Sequence, residues 1–399
     1  MTQTPRAIVL GLSAMLGAGV FAGFAPAAAL AGWWFVPALL LSAAAALCSA
    51  FSTADQSRAL PETTGYGFIR NQLGPWSARL GASGYLLGRF AMAAAIATMF
   101  GAYVLPESPA TAAVLLITGT VLLTATGFRW TPALSWAAAI FVVVVLALVV
   151  VSCFSIAPPQ AVTTTGNTRE LVGVGALLFA AFLGFERITV DSGLSERTLR
   201  IAIPVTIGGA LAVYLAVGVG VHRQLGTDRL ALSPAPLRDA LAAADAAALI
   251  PLVQAAAAVA AVSTLYFVLS GTRRTMTAMV EHGDLPRPLG RAPRAVDVLA
   301  GAAMIVAALL MPLGLALGVA ACASLFYYAF TNASARILLQ DERTWPMRTA
   351  CLGLGLSVLL AMSVPVPALL TTLAGLAVGT ALFGLPAVVR RPRTTLRAT

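Results

Sequence analysis

Residues 13–23 read Ser13-Ala14-Met15-Leu16-Gly17-Ala18-Gly19-Val20-Phe21-Ala22-Gly23, inside an apolar run from about residue 7 to 31. Glycine is ~1 kcal/mol less favourable than alanine in a helix interior, so Gly17, Gly19 and Gly23 together favour local unwinding. Unwound backbone at membrane depth is tolerated only where it is buried in protein or lines a cavity. Close helix packing through Gly19-xxx-Gly23 is the alternative reading. A dinucleotide fingerprint is excluded, because it needs a strand before the glycines and an acid ~20 residues beyond them.

A second stretch has the same character. Residues 178–187 read Leu178-Phe179-Ala180-Ala181-Phe182-Leu183-Gly184-Phe185-Glu186-Arg187, followed by Asp191 and Ser192-Gly193. An ionised side chain at a helix centre costs ~2.5–3.5 kcal/mol on insertion scales. Arg187 and Asp191 also fit a boundary anchor paired at i, i+4, whereas Glu186 directly follows the expected break.

The surrounding composition sets the class. Of 399 residues, 59% are hydrophobic and 10% charged, against ~25% charged in ordinary soluble domains. Twelve apolar runs follow one another, at 7–31, 33–54, 80–105, 110–127, 133–156, 171–191, 201–221, 247–270, 296–312, 314–338, 348–364 and 367–389. Each is close to the ~20 residues that a spanning helix needs. The chain is expected to be an all-α polytopic membrane protein. The inner segments 55–79 and 271–295 are expected to lie as helices against the bundle, and the outer segment 222–246 to hold a short surface helix.

Every basic residue is arginine, and there are 25 of them. With a cytoplasmic amino terminus, the outer loops hold four (Arg169, Arg223, Arg229, Arg238), Arg89 and Arg187 lie in or beside spans, and the other 19 are inside. That bias places both termini in the cytoplasm of a cell-membrane protein. Arginines distributed between apolar runs do not form a nucleic-acid face. Cys48, Cys153, Cys322 and Cys351 lack CxxC spacing, and His222 and His282 are far apart, so neither a disulfide framework nor a metal site is expected. No cofactor is expected.

The two breaks fall in the first and sixth of the spans. That placement suggests two five-helix halves of opposite orientation, with binding near the midplane between broken helices. Free N–H groups at the start of a half-helix attract an anion, and freed carbonyls attract a cation. A zwitterion satisfies both.

These residues resemble the amino acid–polyamine–organocation transporter superfamily over most of the chain. Residues 11–21 (GLSAMLGAGVF) resemble its first-helix signature, 61–74 (PETTGYGFIRNQLG) its first inner loop, 179–186 (FAAFLGFE) its sixth-helix break, and 273–286 (RRTMTAMVEHGDLP) its loop after helix eight. The resemblance implies a LeuT-like fold of twelve transmembrane helices: a first repeat over 1–156, an inverted second repeat over 157–338, and two further helices with a basic tail over 339–399. It implies a secondary active transporter of amino acids or related amines, a permease working by symport or antiport. The carboxylate would meet the N–H groups of Ala18, Gly19 and Val20, and the amine the carbonyls of Met15, Ala180 and Leu183. Gly17 and Gly184 would form the breaks, lined by Phe179, Phe182 and Leu183.

Glu186 matches an acid linked to proton coupling in related exchangers. The chain departs from the family in having Ala180 where some members carry an aromatic gate. Residues 131–150 contain no lysine, which excludes lysine-based coupling, and Ser263-Thr264 do not support a sodium site.

Arg89 lies about ten residues into the third run, which at ~1.5 Å per residue is roughly midway across the membrane. It is expected to pair with Glu186 or face the substrate, with Asp191 as a further coupling residue. Leu16, Phe179, Phe182 and Leu183 suggest a neutral, apolar cargo. Export, exchange and import fit equally, and helices eleven and twelve serve packing or dimer contact, leaving a monomer or a homodimer. A metal-ion carrier would want more ligands than Met15 at the first break. A non-transporting sensor would look similar, and an enzyme would need a nucleophile–base pair that is not evident.

Overall fold

The computed structural model describes residues 3–60, 64–158, 166–189, 194–290 and 292–389. Among them, every regular element is a helix. The first expected run carries α1 (Gln3–Met15), α2 (Ala18–Ala22) and α3 (Phe24–Ala31), and the second carries α4 (Phe35–Ala59). Then come α5 (Gly65–Val104), α6 (Pro109–Ala125) and α7 (Pro132–Ser155). The sixth run is divided into α8 (Leu171–Phe179), a 3-10 turn (Ala180–Phe182) and α9 (Glu186–Thr189). Beyond it lie α10 (Glu196–Leu232), α11 (Pro236–Ala243), α12 (Ile250–Glu281) and α13 (Arg287–Gly290). The chain closes with α14 (Pro293–Leu310), α15 (Leu313–Ala335), α16 (Met347–Met362) and α17 (Val366–Val389).

Eight helical stretches among the described residues are long and apolar enough to cross a membrane: Gln3–Ala22, Phe24–Ala59, Gly65–Val104, Pro132–Ser155, Glu196–Leu232, Ala247–Glu281, Leu313–Ala335 and Val366–Gly384. The other four expected runs fall on α6 and α16, which are shorter, on the interrupted α8–α9, and on α14.

Local chemistry sets several boundaries. Thr64, Thr131 and Ser195 each accept a backbone N–H three residues on, the N-cap geometry that starts α5, α7 and α10. Proline begins α6, α7, α11 and α14, where its missing N–H costs nothing.

The exposed face is oily. Ile140, Val144, Leu148 and Val151 recur at helical spacing on α7 with between 39% and 61% exposure. A bare apolar stripe of that length fits lipid rather than water. The interior is built from small residues: Ala91, Ala93, Ala94, Ala95 and Ala97 are fully buried on α5, which packs against α15, α12, α6, α17 and α14. Alanine lets helices approach closely, as membrane packing without a hydrophobic drive between helices requires.

The two inner segments meet rather than lying apart. Gly74, at φ 86°, and Pro75 set the arm 65–73 off from the rest of α5. That arm and α5 both reach Asp284, which follows α12 and is 1% exposed. Tyr66 donates its hydroxyl to Asp284 Oδ2, Arg70 donates at 3.1 Å, and Arg79 donates to Oδ1 at 3.0 Å through Nε and 2.9 Å through its terminal nitrogen. In the second segment α12 runs on to Glu281, and the short α13 follows before α14 begins.

Removing one partner of a buried charge pair costs about 3 kcal/mol. Asp284→Ala is therefore expected to lower the midpoint of thermal unfolding in detergent by several degrees, with Asp284→Asn in between. An unchanged midpoint would mean that this cluster gives the fold no support.

Candidate functional site

The first interruption is narrow. α1 ends at Met15, and Gly17 turns back so that its N–H donates to the Met15 carbonyl at 2.8 Å. Gly17 takes φ −108° and ψ −137°, outside the helical region, and Ala18 opens α2. Gly23 has helical dihedrals, and its N–H donates to Gly19 O at 2.9 Å, so α2 runs on into α3. Of the three glycines, Gly17 alone interrupts the rod. Gly19 serves close approach, since a Cβ there would fall on the Ala181 backbone.

The second interruption spans Ala180–Phe185. After the 3-10 turn, Leu183 is extended (φ −62°, ψ 137°) and Gly184 takes φ +124°. That left-handed conformation favours glycine. A Cβ on Gly184 would also lie 2.7 Å from Ala14 O. The two breaks therefore touch twice, Gly19 against Ala181 and Gly184 against Ala14.

Tyr214 of α10 ties them together. Its buried hydroxyl lies 2.6 Å from Met15 O and 2.7 Å from Ala181 O. One hydroxyl has one proton, so it donates to the two carbonyls alternately. Nothing in the sequence reading singled it out. Its only signal is a polar-tipped aromatic alone within the run 201–221.

Charge enters beside the second break. Arg89 of α5 donates to Glu186 Oε2, and Tyr328 of α15 donates to Oε1. The Arg89 guanidinium also lies 4.7 Å from the centre of the Tyr85 ring. Both charged side chains are mostly enclosed, at 11% and 15% exposure.

A cavity lies along these groups. Met15, Gly17, Gly19, Ala180, Leu183, Gly184, Arg89 and Glu186 line it, with Tyr85, Arg187, Thr264, Phe267 and Arg274. The buried Thr264 Oγ1 has no hydrogen-bond partner among the described residues and sits against Gly17. Val20, Phe179 and Phe182 are fully buried outside this lining, Phe179 against Tyr328 and Phe182 against Tyr214. Leu16 is likewise set behind it, while Leu183 stays on the lining, which combines apolar side chains such as Met15, Met92 and Phe267 with polar and charged ones such as Thr264, Arg89 and Glu186. Asp191 lies outside the described residues.

The carbonyls expected to meet an amine are already engaged in part. Met15 O accepts from Tyr214 and Gly17, and Ala180 O from the Leu183 N–H at 3.3 Å. Thr264 and Glu186 offer the other oxygens. No group of three or more His, Cys, Asp or Glu side chains suited to a metal occurs among the described residues.

The cavity's two ends differ. Arg187 also lines a second cavity with Gln3, Arg6, Ala7, Leu10, Ile188 and Leu194, which leads toward the N-terminal end. The opposite end is covered. There the buried Tyr103 hydroxyl donates to Phe21 O at 3.1 Å and accepts from the Leu237 N–H of α11 at 3.1 Å.

Two substitutions probe the junction. Gly184→Ala is expected to abolish solute exchange in proteoliposomes, whereas Gly119→Ala, with open space at its Cβ, is expected to leave it unchanged. Equal activity of the two would show that the Gly184 conformation is dispensable. Tyr214→Phe leaves the buried Ala181 carbonyl without this donor and Met15 O with only the Gly17 N–H, at about 1–3 kcal/mol. It is expected to slow exchange at least fivefold while the protein still elutes as one species, and wild-type exchange would remove the phenol from the junction.

Comparison with known proteins agrees with this architecture. A family profile described as amino acid permease matches residues 3–391. Transporters of uncharacterised function from Mycobacterium bovis and from a Mycobacterium tuberculosis strain are each 35% identical over 407 residues, covering 98% of this chain and 92% of theirs. The chain belongs to the amino acid permease family of the amino acid–polyamine–organocation superfamily.

Proposed function

We propose that this permease is a secondary active transporter that carries an amino acid or a related amine by alternating access. The observation that carries the reading is the meeting of two interrupted helices at one cavity, which runs toward the N-terminal end and is covered at the other. In this reading twelve spans form two inverted five-helix repeats, over 1–156 and 157–338, with two added helices over 339–399. The arginine distribution supports cytoplasmic termini in the cell membrane, so the cavity faces the cytoplasm.

The substrate carboxylate takes the N–H groups of Ala18, Gly19 and Val20, which open the second half-helix without intrahelical partners. Its amine takes oxygens at the second break, where Thr264 and Glu186 are available. Glu186, which accepts from Arg89 and Tyr328, is the acid placed to take part in coupling. Direction follows from the gradients rather than from the site.

Counterflow in proteoliposomes against a panel of amino acids and amines, with and without a pH gradient, tests the reading. At least one is expected to exchange well above empty liposomes, and none doing so would overturn it. Arg89→Gln leaves Glu186 uncompensated and is expected to reduce exchange at least tenfold, with partial recovery in Arg89→Gln/Glu186→Gln. Unchanged rate and pH dependence in the single variant would remove the pair from the mechanism.

A further inference from the structure

A recess on the oily outer surface runs between α7 and α12. Ala137, Ala138 and Phe141 line it from α7, and Ala258, Val259 and Val262 from α12, with Leu134 and Trp130 toward the start of α7. The indole N–H of Trp130 is the one polar side-chain group in that lining. Alanine makes the recess, because larger side chains at 137, 138 and 258 would fill it. It adjoins the bare stripe of Ile140, Val144, Leu148 and Val151 on the same helix. From Leu134 to Phe141 the helix rises about 10 Å, a third of the ~30 Å hydrocarbon core.

The Trp130 end is different in character. Arg129 precedes Trp130, is exposed and has no ion-pair partner among the described residues. The Trp130 indole N–H is buried and has no hydrogen-bond partner among the described residues. A donor left so beside hydrocarbon is costly and calls for an acceptor. The 24-residue α7 also starts there, presenting the positive end of its dipole. Tyr266 of α12 fixes this corner: its hydroxyl donates to Phe128 O at 3.2 Å and accepts from the Trp130 backbone N–H at 3.3 Å. Grouped tryptophan and tyrosine belong at the level where hydrocarbon gives way to headgroups. With a cytoplasmic amino terminus, that level is the inner leaflet.

We propose that the recess is a binding site for an anionic phospholipid, with one acyl chain between α7 and α12 and the headgroup at Arg129 and the start of α7. An oily slot with a cationic mouth matches a molecule that joins a charged head to a polymethylene tail, and basic residues at the membrane surface attract anionic lipids. In a symmetric contact, a second copy of the chain would bring its own Arg129 to this surface rather than an anion. The site is separate from the central cavity. Trp130 nevertheless packs edge-on against Phe267, with ring centres 5.7 Å apart, and Phe267 lines that cavity.

The test is native mass spectrometry of the detergent-purified protein, offered equal amounts of phosphatidylglycerol and phosphatidylcholine with matched acyl chains. Wild type is expected to retain one phosphatidylglycerol at least fivefold more often than one phosphatidylcholine. Arg129→Gln is expected to cut that preference severalfold, and Arg129→Lys to keep most of it. Ala137→Phe, at an exposed position, fills the recess from α7, and Ala258→Leu fills it from α12. Either is expected to lose the retained lipid, whereas Ile140→Phe, on the exposed stripe, keeps it. Retention unchanged in both filled variants would overturn the site. Equal retention of the two lipids by wild type, or a preference untouched by Arg129→Gln, would overturn its anionic character. Detergent adducts only would overturn the proposal, as would a wild-type dimer that Ala137→Phe dissociates, which would assign the recess to a second copy.

Discussion

Backbone polarity in an oily interior is the constraint on which this structure depends. Interrupting a helix frees N–H and C=O groups that neither lipid nor apolar side chains can satisfy. The chain meets the difficulty by bringing its two interruptions into contact, so that each shields the other. Gly19 lets one backbone lie against Ala181, Gly184 lets the other pass Ala14, and Tyr214 supplies a proton that the freed carbonyls share. Unwound backbone then becomes the wall of a cavity rather than a defect.

The ion pair beside that junction follows the same logic. An isolated charge at this depth is costly, and a pair is tolerable when its remaining hydrogen-bonding capacity is filled. Glu186 accepts from Arg89 on one oxygen and from Tyr328 on the other, while Tyr85 covers the guanidinium. Three helical elements, α5, α9 and α15, are thereby joined through one carboxylate.

Much of this was legible in the sequence because membrane helices are written in long, simple runs. Each of the twelve runs falls on helix, and both interruptions lie where glycine and charge disturb the apolar pattern. Arg89 and Glu186 stood out for the cost of placing charge there, and the structure brings them together. Hydropathy does not encode which face a residue presents. Phe179 and Phe182 look like cavity walls in sequence, yet their rings pack outward against Tyr328 and Tyr214. The meeting of Asp284 with Arg70 and Arg79 spans about 200 residues of chain and leaves no local periodicity to read. Tyr214 was invisible for a similar reason, since its partners are backbone atoms.

The two ends of the path are fastened very differently. At the N-terminal end, one enclosed aspartate gathers a phenol and two guanidiniums, binding the start of α5 to the end of α12. At the far end, the polar link between α11 and the second half-helix is the single oxygen of Tyr103, beside the buried packing of α11. A neutral hydrogen bond contributes about 1 kcal/mol net, little more than thermal agitation. The cover there is thus a hasp over a padded joint: its one polar fastening is weak, and the burial of Leu237, Ala240 and Leu241 is what keeps α11 shut.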